Sequence, residues 1–149
     1  DIVMTSDGPA KIRCVLRTQC ENSTAQLIKL DTLMITPYHP IIKKKKNGQL
    51  NDKWTFPNDH GKAEDYQCEA VFSFLLEPGF QDMIIEGVQC ITLAHGIEND
   101  PVASHPFYGT DKVIETLKTH MKFDDGYIEL VGECIQRDKE TNLVCGFNF

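Results

Sequence analysis

The stretch Leu33-Met34-Ile35-Thr36-Pro37-Tyr38-His39 places a hydroxyl and an imidazole three residues apart, directly after a short apolar run. The apolar run predicts a strand, here Leu33–Thr36. At a strand end, the side chains of Thr36 and His39 can both face one neighbouring carbonyl group. Threonine can donate a hydrogen bond, and histidine can take up or release a proton near neutral pH, because its ordinary pKa is near ~6.5. The pair suits chemistry on a peptide bond, so both residues are candidate catalytic residues.

The composition is that of a folded domain with an acidic surface. A length of 149 residues fits one domain, and 41% hydrophobic with 25% charged residues is ordinary for a globular protein. The net charge of −7 disfavours nucleic-acid binding, because an acidic surface repels phosphates. The basic run Lys43–Lys46 precedes Asn47-Gly48, a strong turn signal, and predicts a solvated loop between strands. An anionic partner is the alternative.

The sequence predicts neither a membrane span nor a targeting signal. No apolar run approaches the roughly 18–20 residues that a membrane-spanning helix needs, so no membrane partner is predicted. The expected location is cytoplasmic. Asp1–Met4 is typical of the middle of a strand, and the chain is therefore expected to begin inside a larger protein.

Period-two patterns dominate and predict a mainly β fold. Residues Ile12, Cys14 and Leu16 are expected to share one face of a strand. Glu86-Gly87 is expected to be the turn of a tight hairpin. The predicted strands are Asp1–Thr5, Lys11–Thr18, Gln26–Leu30, Leu33–Thr36, Trp54–Pro57, Glu69–Leu76, two halves of Met83–Leu93, and a final hairpin of Tyr127–Gln136 with Leu143–Phe147.

One helix is predicted, over Asp111–Lys122, with Thr110 as its N-cap. Its expected apolar stripe is Val113, Ile114, Leu117 and Met121. Asn99–Gly109, with two prolines, is expected to be a loop. The chain is interpreted as one domain over 1–149, and an alternative boundary near residues 97–104 would divide it into a core of 1–96 and an extension of 97–149.

Cysteines and histidines supply the other candidate chemistry. Cys14 and Cys145 lie in alternating apolar runs and are expected in the core, whereas Cys90 is either a buried apolar residue or a reactive thiol beside an imidazole. His95 and His105 are either structural or catalytic. The six cysteines are Cys14, Cys20, Cys68, Cys90, Cys134 and Cys145, and an even number permits disulfides.

A metal site is weighed but not predicted. Cys90, His95 and His105 could surround one zinc ion, with His39 as a fourth ligand. However, no ligand pair has the usual short zinc spacing, and there is no Cys-x-x-Cys. His60 and His120 are expected to be structural. No metal or other cofactor is therefore predicted.

Several motifs together resemble one known family. The chain resembles the Hint (hedgehog–intein) superfamily, and most closely its Vint branch, which occurs with von Willebrand factor A domains. The Thr-x-x-His element is common to Hint domains, and the stretches at 105–109 and 137–138 are more specific to Vint. The resemblance covers nearly the full length and is carried by Asp1–Gly8, Ile35–Pro40, Trp54–Pro57, Cys68–Phe74, Gly87–Gly96, His105–Thr110 and Arg137–Val144.

The resemblance implies a curled, pseudo-two-fold, all-β fold and an autoprocessing activity. In such domains an initial cysteine attacks the peptide bond before it, and an N-to-S acyl shift turns the amide into a thioester. Thr36 matches the residue that hydrogen-bonds near the scissile bond, and His39 matches the general acid for the leaving amine. The implied partners are the chain's own N-terminal segment, which bears that cysteine, and the upstream domain of the precursor.

This sequence departs from the family pattern at three points. No initial cysteine precedes Asp1, so the chain is expected to be truncated, or one half of a complementing pair, and inert alone. Gly96 follows His95 where inteins have asparagine, so full splicing is not expected. Ser73 stands where the intein pattern often has aspartate. Because of these departures, Cys90 and His95 are weaker matches to the family's functional residues. They could help resolve the thioester or simply pack.

Two other function classes stay open. The chain could be a non-catalytic interaction module that retains the Hint fold. Less favoured is a zinc-dependent hydrolase built on Cys90, His95 and His105. Whether the protein is an enzyme is therefore left undecided, and the activity expected of it is a single-turnover self-cleavage.

Overall fold

Twelve strands and one α-helix make up most of the regular structure in a computed structural model that describes residues 1–43 and 53–149. The mainly β prediction is confirmed. The strands are β1 (Ile2–Thr5), β2 (Gly8–Gln19), β3 (Thr24–Leu30), β4 (Leu33–Ile35), β5 (Ile41–Ile42), β6 (Glu64–Gln67), β7 (Ala70–Leu76), β8 (Asp82–Ile85), β9 (Val88–Ile91), β10 (Tyr127–Leu130), β11 (Ile135–Arg137) and β12 (Val144–Phe147), and the helix is α1 (Asp111–Leu117).

The long strand β2 is the centre of the first sheet. It pairs antiparallel with β1 and β7, and parallel with β10. Its alternation is the predicted one, since Cys14 and Leu16 are buried while Lys11 and Arg13 are exposed. Alternate side chains of a strand point to opposite faces, so β2 presents one apolar face to the core.

The strands around the Thr36–His39 stretch form two smaller sheets, β4-β3-β6 and β5-β9-β8. The β8–β9 hairpin turns at Glu86-Gly87, where both residues have left-handed backbones (φ 50° and 76°), as a two-residue primed turn requires. That prediction is confirmed. These sheets share the cluster Ile28, Leu30, Leu33, Ile35, Ile41, Val88 and Cys90.

A larger cluster joins β2 and β7 to the C-terminal part of the chain. Leu16 and Leu75 pack in it with Phe107, Leu117 and Ile128. The buried members are Cys14, Leu16, Leu75, Leu93, Phe107, Val113, Leu117, Ile128, Leu130, Val144 and Phe147. The division of the chain at residues 97–104 stays a prediction.

The helix begins where predicted but ends early. The Thr110 hydroxyl accepts a hydrogen bond from the Lys112 backbone at 3.4 Å, as an N-cap does. After Leu117 the hydrogen bonds tighten to a three-residue spacing, including His120 N to Leu117 O at 3.0 Å. This turns Met121 away from the core, where it is 90% exposed. The predicted extension to Lys122 and the place of Met121 in the stripe are therefore wrong.

The predicted final hairpin is also wrong in part. The segment Tyr127–Gln136 is not one strand, because a 3₁₀ turn at Gly132–Cys134 separates β10 from β11. Only β11 pairs with β12, whereas β10 runs parallel to β2. Cys145 is exposed, not in the core, because the β12 alternation turns Val144 and Gly146 inward.

Two further predictions concern the stretch between β5 and β6. Trp54–Pro57 is not a strand: only Thr55 makes a single bridge, to Ile41, although Trp54 is buried. The predicted lysine loop and its Asn47-Gly48 turn lie outside the described residues, apart from Lys43. No helix in the described part of the chain is long and apolar enough to cross a membrane.

Candidate active site

A tight turn follows β4 and holds Thr36 and His39 at its two ends. The His39 backbone N–H donates to the Thr36 carbonyl at 3.4 Å, with Pro37 at the second position, which favours such turns. The Asn58 N–H donates to the Pro37 carbonyl at 2.9 Å and holds the turn from outside. The two predicted catalytic residues are thus neighbours in space, and both are partly buried.

The His39 imidazole is fixed by a hydrogen bond to β9. Its Nε2 lies 2.8 Å from the Ile91 carbonyl oxygen. Because a carbonyl oxygen can only accept, Nε2 carries the ring proton and Nδ1 is unprotonated. Burial lowers the pKa of His39, and the bond to Ile91 opposes this in part. Near pH 7 the ring is therefore a neutral base whose lone pair is on Nδ1.

Strand pairing sets the position of the acceptor for His39. Ile41 pairs with Cys90, and the Ile91 N–H donates to the Pro40 carbonyl at 3.1 Å. Residues 39–41 therefore lie alongside the end of β9. The orientation of the imidazole depends on this pairing and not on a flexible loop.

An exposed aromatic ring borders the turn. Tyr38 is 68% exposed, and its ring meets the edge of Phe56 at a centroid distance of 5.5 Å. Nearby, the Thr55 hydroxyl and His60 Nε2 are 2.7 Å apart. His60 thus has a structural partner, in keeping with the role expected of it. The turn lies at the surface on the Tyr38 side.

Cys90 has the surroundings of a packing residue. It is 3% exposed, and its thiol donates to the Val88 carbonyl at 3.6 Å. Burial, with a smaller contribution from the nearby Asp82 carboxylate, raises its pKa to about 12. A thiol with such a pKa is almost wholly protonated at neutral pH, and the thiolate is the nucleophilic form. The structure favours packing over a nucleophilic role for Cys90.

His95 and His105 form a second group of imidazoles. His95 is 6% exposed, and its Nδ1 accepts from the Ile97 N–H at 2.9 Å. Its pKa is lowered by burial and by the neighbouring His105, against a hydrogen bond with the Ala103 backbone. His105 Nδ1 accepts from the Tyr108 N–H at 3.0 Å, and burial lowers its pKa too.

The backbone explains why these imidazoles meet. The Ala94 N–H donates to the Tyr108 carbonyl at 2.7 Å, and the Gly96 N–H donates to the Gly109 carbonyl at 2.8 Å. The chain around His95 therefore runs along residues 108–109. A Cβ at Gly109 would lie 2.8 Å from the His95 ring, so the approach requires glycine there.

A small apolar cluster lies between the two imidazole groups. Ile91, which accepts from His39, packs with Ala103, whose backbone bonds His95. Trp54 completes this cluster from the stretch before β6. The structure thus connects His39 and His95 through packing, with no direct bond between the rings among the described residues.

The metal alternative gains no support from the geometry. Within residues 1–43 and 53–149, no three or more His, Cys, Asp or Glu side chains are grouped so as to hold a metal ion. Cys90 belongs to the cluster around Ile28, whereas His95 lies against residues 103–109. The structure does not bring Cys90, His95 and His105 together as ligands.

Asp82 and Thr92 are buried polar residues that the sequence patterns did not indicate. The Asp82 carboxylate, 3% exposed, accepts from the Ser6 N–H at 2.8 Å, the Ser6 hydroxyl at 2.5 Å and Gln89 Nε2 at 3.0 Å. It ties the turn after β1 to the β8–β9 hairpin. Thr92 Oγ1 is buried with no hydrogen-bond partner in the described structure. A single carboxylate before the apolar run Met83–Ile85 was the only available signal for Asp82.

The comparison with protein families decides which family the chain represents. A family model described as Vint, a Hint-domain, matches residues 1–146. The chain belongs to the Vint family of Hint domains. A search of curated proteins finds no match. The resemblance and the Hint fold inferred from the sequence are confirmed, and the Hint family includes autoprocessing domains.

Proposed function

We propose that this Vint domain cleaves the peptide bond at its own N-terminal boundary through a thioester. Membership of a family that includes autoprocessing domains supports the proposal. The observation that carries it is the state of His39, whose proton is directed to Ile91 and whose Nδ1 is left basic. A neutral imidazole at the end of a fixed turn, with Thr36 at the other end, is suited to moving one proton at a peptide bond.

The proposed reaction is an N-to-S acyl shift. A cysteine thiol, supplied by a segment upstream of Asp1, attacks the carbonyl carbon of the peptide bond that precedes it. The C–S bond forms, the C–N bond breaks, and the amine remains on the cysteine. His39 Nδ1 accepts the thiol proton and then delivers it to the leaving nitrogen. Positioned acid–base catalysis of this kind contributes roughly 10²–10⁴ in rate.

Thr36 and the second imidazole group have different proposed roles. The Thr36 hydroxyl donates a hydrogen bond at the scissile amide, which favours its distortion and the developing charge. Cys90 contributes packing. His95 and His105 are the candidates for the later step, in which water or another nucleophile takes the acyl group from the thioester.

The proposed reaction ends in cleavage without splicing. Asparagine cyclisation, the second cleavage in inteins, needs a side-chain amide at the position that follows the intein histidine, which is position 96 here. Gly96 has no side chain, and its left-handed backbone (φ 73°) suits glycine. Hydrolysis of the thioester, or its transfer to an external nucleophile, would then release the upstream domain of the precursor.

The test places a segment that begins with cysteine before Asp1 and follows self-cleavage on a gel, with and without dithiothreitol. His39→Ala is expected to slow cleavage by roughly 10²–10⁴-fold. His60→Ala, which removes an exposed imidazole from the same region, is expected to cleave at the normal rate. Thermal unfolding of each variant checks that the fold is retained.

Two outcomes would contradict the proposal. Equal cleavage by His39→Ala and the unmodified protein would remove His39 from the mechanism. A folded, cysteine-containing protein that stays intact even with dithiothreitol would favour the interaction module without catalysis.

A further inference from the structure

Cys20 and Cys68 bring two thiols into contact away from the candidate active site. Cys20 follows β2, and Cys68 lies between β6 and β7. Their sulfur atoms are 3.8 Å apart, and both residues are half-buried. They are 48 positions apart in sequence, so the contact is a product of the fold.

The backbone holds this contact from both sides. The Cys20 N–H donates to the Glu69 carbonyl at 2.9 Å, and the Cys68 N–H donates to the Ser23 carbonyl at 2.8 Å. The β2–β7 ladder ends beside them at Gln19, and the β3–β6 ladder begins beside them at Thr24. The two cysteines therefore lie at the junction of two sheets, where strand pairing fixes the distance between their backbones.

We propose that Cys20 and Cys68 are a disulfide site, oxidised by exchange with a small-molecule disulfide such as oxidised glutathione. The thiolate of one cysteine attacks the small disulfide, forms a mixed disulfide and releases one small thiol. The second thiolate then attacks the protein sulfur of the mixed disulfide and releases the other small thiol. The two cysteines are oxidised, the small disulfide is reduced, and the two protons lost by the cysteine thiols are taken up, through solvent, by the two small thiols that leave.

Geometry and access both permit the reaction. A disulfide bond is ~2.0 Å long, and side-chain rotation of two thiols already in contact can bring the sulfurs together. Cys20 also lines a surface cavity together with Gln19, Asn22 and residues 131–133, through which a small disulfide can enter.

The rate of oxidation is expected to depend on pH. Burial raises the pKa of Cys20, the contact with Cys68 raises it further, and Arg17 opposes both. The thiolate is the attacking form, so oxidation should be slow at neutral pH and faster under mildly alkaline conditions.

The bond would close a loop that contains Thr36 and His39. The loop runs from Cys20 to Cys68 and includes β3 to β6. A cross-link over a loop of this length restricts the unfolded chain strongly, and we expect the melting temperature to rise by on the order of 10 °C on oxidation. Oxidation would thus link the two ends of the segment from Cys20 to Cys68, which contains the candidate catalytic residues.

Peptide mapping tests the proposal on the intact chain. The protein is incubated with oxidised glutathione under mildly alkaline conditions, free thiols are alkylated, and the product is digested with trypsin and a glutamate-specific protease. Cleavage after Arg17, Glu21, Glu64 and Glu69 separates Cys20 and Cys68 from every other cysteine. The expected product is peptide 18–21 linked to peptide 65–69, and this link should disappear with dithiothreitol.

Variants separate the site from the other thiols. Cys20→Ser and Cys68→Ser should each lose the linked peptide and the rise in melting temperature. Cys145→Ser, which removes an exposed thiol, should keep both. Recovery of Cys20 and Cys68 as free thiols, or only as separate glutathione adducts, would overturn the proposal. The mapping of the unmodified chain gives this answer even if a variant fails to fold.

Discussion

Gly109 is the point at which His95 meets the segment that carries His105. A Cβ at this position would lie 2.8 Å from the His105 carbonyl oxygen, 2.8 Å from His95 Cε1 and 2.9 Å from His95 Nε2. Non-bonded carbon atoms do not approach so closely, so either the ring or the backbone must move. We expect Gly109→Ala to destabilise the protein and to displace the His95 imidazole.

The size of the effect follows from three contributions. Overpacking a tight interior site costs roughly 1–3 kcal/mol. Movement of the ring also weakens or breaks the hydrogen bond that His95 Nδ1 accepts from the Ile97 N–H, which is worth about 1 kcal/mol. Alanine reduces the conformational entropy of the unfolded chain relative to glycine, which stabilises the folded state by about 0.4–1 kcal/mol. The expected net loss is about 2 kcal/mol of unfolding free energy, which corresponds to roughly 4–8 °C in melting temperature for a protein of this size.

Urea unfolding and histidine NMR measure the two consequences. Gly132→Ala is the matched control, because a Cβ there meets nothing within 4 Å and its backbone is not left-handed. The control should be unchanged or more stable by up to about 1 kcal/mol. Equal stability of the two variants, with an unshifted His95 signal in Gly109→Ala, would refute the reasoning.

Three other predictions concern buried polar groups. Asp82→Asn should lower the free energy of unfolding by about 1–3 kcal/mol, because an amide cannot accept hydrogen bonds from all three donors around it. Asp7→Asn, which changes an exposed carboxylate, should lower it little. Urea unfolding compares the two variants, and equal values would contradict the role of Asp82. Thr92→Val should gain about 1 kcal/mol by removing an unpartnered buried hydroxyl, and a loss of stability would count against this. Acidification should also destabilise the fold: burial lowers the pKa of His39, His95 and His105, so the stability that depends on their neutral rings is present above pH ~6.5 and is lost as the pH falls below it, which urea unfolding between pH ~7.5 and ~5.5 measures. A flat profile of unfolding free energy over that range would exclude the effect.

Local patterns in the sequence predicted those parts of the fold that depend on neighbouring residues. The alternation in β2, the Glu86-Gly87 turn and the Thr110 cap all have short-range causes. The failures have long-range causes. The residues 127–130 contain no pattern that indicates parallel pairing of β10 with β2. Likewise, no pattern indicates that the hydrogen bonds after Leu117 change to a three-residue spacing.

The candidate site follows the same division. The Thr36–His39 stretch could be located from its spacing, and the structure places its two end residues in one turn. The acceptor of the imidazole could not be located, because Ile91 is 52 residues away and meets His39 only through the pairing of β5 with β9. The contact of Cys20 with Cys68 was equally hidden, since each thiol is placed by a different ladder.

The parallel partner of β2 sets an order of events during synthesis. Residues Val15–Thr18 are made well before the strand that covers their edge, residues 127–130. Pairing across such a sequence distance is intrinsically slow, because the intervening chain must be ordered first. A nascent chain therefore exposes an incomplete sheet until residues 127–130 have been made and have paired. Any self-cleavage that needs the complete fold is thereby delayed until translation has passed residue 130.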